Sequence, residues 1–106
     1  MKKMAVPIAL LLVAACATTP IGREMQAVKA LTAANDAAVS ALDFGVIKAD
    51  DGVAIQEITR AATADLKRAI AARRAGAPME TWERIMAIVD DALERVTRVI
   101  MQREQG

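Results

Sequence analysis

The fold of this chain is decided by METWERIMAIVDDALERVTRVIM, residues 79–101. Large apolar residues return every three or four positions in this segment, which is the spacing of one face of an α-helix. They are Trp82, Ile85, Met86, Val89, Leu93, Val96 and Ile100. Four more apolar residues widen that face: Ile88, Ala92, Val99 and Met101. We therefore predict a helix from about Pro78 to Arg103 that has a broad buried face and room for self-association.

Two more helices precede this segment. The predicted second helix opens near residues 48–51, ends at Ala75 and buries Ile55, Ile58, Ala62, Leu66, Ala69 and Ile70. The predicted first helix runs from about Arg23 to Asp43 and carries two adjacent stripes of low polarity. One consists of Met25, Val28, Thr32, Asn35, Val39 and Leu42, and the other of Ala27, Ala30, Ala34, Ala37 and Ala41. Two such stripes fit contact with two neighbours.

Glycine marks both predicted helix ends. Gly45 and Gly76 each follow a helical pattern at the position where a left-handed residue commonly stops a helix. The connections are short, which makes consecutive helices antiparallel. The sequence thus predicts an all-α domain over residues 23–106: a three-helix up-down-up bundle or, if the first helix packs loosely, a helical hairpin plus a stalk helix.

The N-terminal segment has the pattern of a secretory signal. Lys2 and Lys3 supply positive charge, and the uncharged run from Met4 to Ala15 is too short to span a bilayer. Small residues come directly before Cys16, the single cysteine of the 106-residue chain. We therefore divide the start into a signal over residues 1–15 and a lipidated cysteine with its tether over residues 16–22.

Residues 1–16 resemble bacterial lipoprotein precursors through the lipobox Val13-Ala14-Ala15-Cys16. The resemblance implies that the Cys16 thiol takes a diacylglycerol bearing fatty acyl chains such as palmitate. It also implies that a signal peptidase recognises Val13, Ala14 and Ala15 and cuts before Cys16. Ala17 then favours the outer membrane, with the domain facing the periplasm. The alternative is a buried, inert cysteine in a helix without lipid.

A broader resemblance covers most of the chain. The start Cys16-Ala-Thr-Thr-Pro, the alanine-rich first helix, the turn Gly45-Val46-Ile47 and the second glycine-led turn at Gly76 resemble small helical lipoproteins encoded in phages and prophages. This resemblance implies a periplasmic lipoprotein that is accessory to lysis or to superinfection control.

Composition argues against several function classes. The chain has 14 basic and 13 acidic residues, no histidine and no tyrosine, so nothing indicates nucleic-acid binding or a nucleophile–base pair. Its one serine, Ser40, lacks a plausible base. We predict no enzymatic activity, no cofactor, no metal site and no small-molecule substrate.

Adjacent carboxylates at Asp50-Asp51 and Asp90-Asp91 diverge on a helix, so we interpret them as a helix-start charge pair and a solvated face. The basic residues Lys67, Arg68, Arg73 and Arg74 complement a helix C-terminus or, alternatively, bind anionic head groups or peptidoglycan carboxylates.

Two polar or amphipathic residues fall at core-type positions. Trp82 is predicted to anchor the core, with a partner or interfacial contact as the alternative. Asn35 either sets helix register or lies at an exposed edge. Together these features predict a lipid-anchored, periplasm-facing interaction module that binds a protein partner or itself. The alternative is a phage-related lysis or structural lipoprotein that acts by self-assembly, coiled-coil fashion, on the membrane.

Overall fold

Three α-helices form the described part of the chain, residues 19–105 of this computed structural model, whose side chains are described to residue 103. Helix α1 spans Pro20–Asp43, α2 spans Ala49–Arg74 and α3 spans Met79–Gln105. No strand occurs within these residues. The predicted all-α, three-helix architecture is confirmed.

The first helix begins earlier than predicted. Thr19 caps it, because its Oγ1 accepts a hydrogen bond of 3.0 Å from the backbone N–H of Gly22. Pro20 occupies the first turn, where its missing N–H has no intrahelical partner to lose. Residues 20–22, which we assigned to the tether, are therefore helical. Residues 16–18 of that tether lie outside the described residues.

Both predicted glycine stops are confirmed. Gly45 and Gly76 have φ angles of +73° and +75°. At each end the second residue beyond the cap donates back into the helix, from Val46 N–H to the Ala41 carbonyl at 2.8 Å and from Ala77 N–H to the Ala72 carbonyl at 3.0 Å. These bonds satisfy carbonyls that a helix end otherwise leaves open.

Contacts between distant residues fix the up-down-up arrangement. Arg103, near the end of α3, binds Asp51 in the first turn of α2. Glu24, near the start of α1, binds Arg73 in the last turn of α2. Helix α2 is thus antiparallel to both neighbours. Helix α1 lies along the hairpin instead of leaving it as a stalk.

The core follows the pattern of α3. All seven residues of its predicted stripe are buried, as is Ala92. From α2 the core receives Ile55, Thr59, Ala62, Leu66 and Ala69. Two of the residues expected to widen the α3 face, Val99 and Met101, are half-buried, and Ile88 is exposed. The α3 face is therefore used mainly inside the bundle.

Helix α1 turns its alanines inward. Ala27, Ala30, Ala34, Ala37 and Ala41 are all buried. We expected the stripe of larger residues to contact a second neighbour, but it is exposed. Its apolar members, Met25, Val28, Val39 and Leu42, are 39–57% exposed. Alanine lets α1 approach the α2–α3 hairpin closely, and the larger side chains are left largely exposed, although Leu42 lies against Gly52 of α2.

Candidate functional site

A buried charged cluster joins all three helices at the N-terminal end of α1. Glu24 is only 4% exposed. Arg73 binds both of its carboxylate oxygens, with Nε–Oε2 at 2.7 Å and Nη2–Oε1 at 2.8 Å. Trp82 donates its indole N–H to Oε2 at 2.8 Å. The carboxylate therefore meets one partner from α2 and one from α3.

Electrostatics keep this cluster ionised. The hydrogen bond from Arg73 is the main cause that lowers the pKa of Glu24, against the opposing effect of burial. The same hydrogen bond raises the pKa of Arg73. A carboxylate that stays deprotonated is a poor proton donor, so Glu24 is poorly suited to acid catalysis. Its contacts to α2 and α3 instead hold the three helices together.

Arg23 extends the cluster to the surface. Its guanidinium lies 5.0 Å from the centroid of the Trp82 ring and 3.3 Å from the Asp90 carboxylate. The core-anchor prediction for Trp82 is confirmed, because the side chain is only 2% exposed. Its polar edge is satisfied inside the protein by Glu24.

The adjacent carboxylates Asp90 and Asp91 diverge, as we predicted, because Asp90 is bound by Arg23 and Asp91 is not. Asp51 accepts a hydrogen bond from the backbone N–H of Lys48 at 3.2 Å and binds Arg103 at 3.0–3.1 Å. The Lys48 N–H is the main cause that lowers the pKa of Asp51. Asp91 instead pairs with Arg95 one turn along α3.

The basic residues of α2 do not act as one group. Arg73 is engaged by Glu24, and Arg68 pairs with Asp65 at 2.6 Å. Lys67 and Arg74 are exposed. Binding of anionic head groups or peptidoglycan by all four residues would require the Glu24–Arg73 pair to break. Arg73 and Arg74 lie in the last turn of α2, the position predicted to complement the helix C-terminus.

Ser40 is exposed on α1. Within residues 19–103, no three acidic, histidine or cysteine side chains gather where a metal could bind.

The main exposed apolar surface of the described residues is a stripe on α1. We define the α1 stripe as Ile21, Met25, Val28, Thr32, Asn35, Val39 and Leu42. Its members alternate spacings of four and three, which is the a/d pattern of a coiled-coil helix over three heptads. All seven are exposed. A row of large apolar side chains in water is typical of a contact surface.

The C-terminal half of the α1 stripe borders a groove between α1 and α2. The groove has a volume of about 560 Å³. Its lining is Asn35, Ala38, Val39 and Leu42 from α1, and Ala49, Gly52, Val53, Gln56, Thr59, Arg60 and Thr63 from α2. The end near the α1–α2 turn is apolar, and the opposite end, at Asn35, Thr59, Arg60 and Thr63, is polar.

Two residues shape this groove. Gly52 leaves room for the Leu42 side chain, because a Cβ at residue 52 would lie 2.9 Å from Leu42 Cδ1. Asn35 is exposed, and the Thr59 hydroxyl can donate to its Oδ1 at 3.1 Å. Asn35 thus takes the exposed-edge alternative while still bridging α1 and α2.

Sequence reasoning missed Glu24, although a signal was present. Glu24 lies three residues before Ala27 and so continues the alanine stripe by one step. A carboxylate on a buried face requires a partner, and Arg73 and Trp82 were available at the matching ends of the next two helices.

Two sets of predicted functional residues lie outside the described residues, so their roles stay predictions. They are the lipid-attachment residue Cys16 and the peptidase-recognition residues Val13, Ala14 and Ala15. Among the helices described, none is both long and apolar enough to cross a membrane. No family model, curated protein or solved structure matches this chain.

Proposed function

We propose that this protein is a lipid-anchored, periplasm-facing interaction module without catalytic activity, and that the α1 stripe is its contact surface. The observation that carries the proposal is the exposure of that stripe on a helix whose alanine face is buried in the bundle. A domain of this size gains stability from covering such residues, and a partner is the means of covering them.

Support for the anchor comes from the sequence. Cys16 stands alone after an apolar run and two alanines. An anchor with two or more acyl chains holds a protein stably on a membrane, whereas one chain binds only marginally. Helix α1 begins at Pro20, so the packed domain starts four residues after the proposed anchor and works close to the bilayer.

Mass spectrometry of protein purified from the membranes of its native host tests the anchor. The expected N-terminal peptide begins at Cys16 and carries a diacylglycerol on sulfur. A free Cys16 thiol, or a chain that retains residues 1–15, would overturn this part of the proposal. Cys16→Ser should release the protein from the membrane fraction, while the neighbouring change Ala17→Ser should not.

Site-specific photo-crosslinking tests the contact surface. A photoreactive residue at Val39, on the α1 stripe, should give one adduct of defined mass in the host envelope. The same residue at Ile88, an exposed apolar position on α3, serves as the matched control. Equal labelling from both positions would argue against the α1 stripe as the surface.

Self-assembly on the membrane is the second candidate function. The a/d spacing of the α1 stripe favours it, because such spacing is typical of helices that pair with one another. The resemblance to phage and prophage lipoproteins adds a role accessory to lysis or superinfection control, which stays a proposal.

A further inference from the structure

We propose that the occupant of the groove between α1 and α2 is a second copy of this chain, with its α1 antiparallel to the first. The inference deepens the proposed function by naming the partner of the α1 stripe. It does not depend on the lipid, because every residue that carries it lies within residues 21–60.

The part of the α1 stripe from Met25 to Leu42 has a pattern that reads the same in both directions. From Met25 to Leu42 its members run apolar, apolar, polar, polar, apolar, apolar. A two-fold axis between Ala33 and Ala34 places Met25 of one copy opposite Leu42 of the other. The same axis places Val28 opposite Val39. A self-complementary patch of this kind is what a two-fold symmetric interface requires.

The polar layer supports this register. Thr32 of one copy falls opposite Asn35 of the other, so polar groups meet at the centre while apolar groups meet on both sides. By symmetry this pairing occurs twice, and a central polar segment within an apolar seam fixes the register, because a shifted alignment buries the polar groups against apolar side chains.

Charges beside the stripe fit the same alignment. Lys29 and Asp36 are both exposed, and neither takes part in an ion pair among residues 19–103. In the antiparallel register, Lys29 of each copy comes within one helical turn of Asp36 of the other. The symmetry makes this contact twice.

The groove explains why the antiparallel direction is favoured over the parallel one. It flanks only the C-terminal half of the α1 stripe, which leaves Met25 and Val28 without a neighbouring wall. Antiparallel pairing lays the Met25–Val28 half of each copy into the apolar end of the other copy's groove, beside Val53. Parallel pairing would place Met25 and Val28 of the two copies against each other, with no groove wall beside them.

Disulfide trapping in the full chain tests the register. A Val28→Cys copy mixed with a Val39→Cys copy should form a mixed disulfide on mild oxidation, since facing Cα atoms must come within about 7 Å to be bridged. Its yield should exceed that of either variant alone by at least about fivefold. Ala87→Cys, exposed on α3, is the control and should form no such bond with either variant.

Two outcomes of the trapping experiment would overturn the inference. Disulfides within the single variants would indicate a parallel pair, and no disulfide in any mixture would indicate a different occupant. The test is run with Cys16 intact and again with Cys16→Ser. Trapping in both backgrounds without lipid on Cys16 would refute the anchor alone, whereas lipid without trapping would refute the dimer alone.

Sedimentation of the full chain in mild detergent gives an independent measurement. In the Cys16→Ser background it should show a dimer whose dissociation constant rises on the order of tenfold or more with Val39→Glu. Ile88→Glu is the matched control and should leave it unchanged. Circular dichroism checks that both variants remain helical, as their exposure leads us to expect. A wild-type monomer at high micromolar concentration would overturn the inference.

Discussion

The indole N–H of Trp82 lies 2.8 Å from the carboxylate of Glu24, although 58 positions separate them along the chain. The same carboxylate receives two hydrogen bonds from Arg73. This contact fixes how α1 is rotated against the hairpin. Because Glu24 shares a face with the buried alanines, holding it inside also holds the larger apolar side chains of α1 outside.

Removing the Glu24 carboxylate should be strongly destabilising. Glu24→Ala leaves Arg73 and the Trp82 N–H without their acceptor, and we expect a loss of about 2–4 kcal/mol in the free energy of unfolding. Glu24→Gln keeps an acceptor for Trp82 and should lose less. Urea unfolding followed by fluorescence of the single tryptophan measures both.

The control for this prediction is a double-mutant cycle with Arg73→Ala. If the two side chains act as a pair, the double variant should be more stable than the sum of the single losses implies. Strictly additive losses would show that the contact contributes no coupling energy.

Acid should weaken the fold through the same residue. Arg73 lowers the pKa of Glu24 in the folded state, so the unfolded chain binds the proton at a higher pH than the folded protein does. The stabilisation is therefore complete above the unfolded pKa of about 4.3 and is lost as the pH falls through the lower folded pKa.

Unfolding measured between about pH 7 and pH 3 checks this dependence. The slope of stability against pH below about pH 4.5 should be smaller in Glu24→Gln than in the wild type. Some slope should remain, because the pKa of Asp51 is also lowered. Superimposable curves for the two proteins would contradict the assignment to Glu24.

Enlarging the inner face of α1 should also destabilise the bundle. Ala34 is 1% exposed, so Ala34→Leu forces α1 away from the hairpin at a loss of about 1–3 kcal/mol. Ala87→Leu, on the exposed face of α3, should change stability by less than about 0.5 kcal/mol. A neutral Ala34→Leu would indicate that α1 is a loosely attached stalk.

Reversing charges should tune association of two copies. Lys29→Glu places like charges near each other at both symmetric contacts and should weaken the dimer by about three- to tenfold at low salt. Combining Lys29→Glu with Asp36→Lys should restore it. Sedimentation measures all three proteins, and an equally weak double variant would mean that these residues do not face one another.

Much of this fold was predictable because α3 presents an unambiguous pattern. Val89 and Val96 lie on a single apolar face, and burying that face makes a dominant contribution to the free energy of folding. The helix ends were predictable for a different reason. Gly45 and Gly76 adopt a left-handed conformation that other residues rarely take.

The rotation of α1 was not predictable from periodicity alone. The Val39 and Ala34 stripes have the same spacing, and apolar area by itself favours burying valine. The contacts of Glu24 favour burying the alanine stripe instead, because Glu24 continues that stripe and binds Arg73 and Trp82 inside the bundle. A lone buried carboxylate is rare enough that pattern reasoning passes over it. The shape of the groove was also not predictable, because it depends on Gly52 leaving room for the Leu42 side chain.

The Glu24 cluster also decides how the domain would bear a mechanical load. Any pull on the segment before Thr19 enters α1 at its first turn, four residues from Glu24. At that turn, the force must break the hydrogen bonds from Glu24 to Arg73 of α2 and to Trp82 of α3 before it can separate the alanines of α1 from the core. The mechanical resistance to unfolding is therefore concentrated at the N-terminal end of α1, where such a force would be applied.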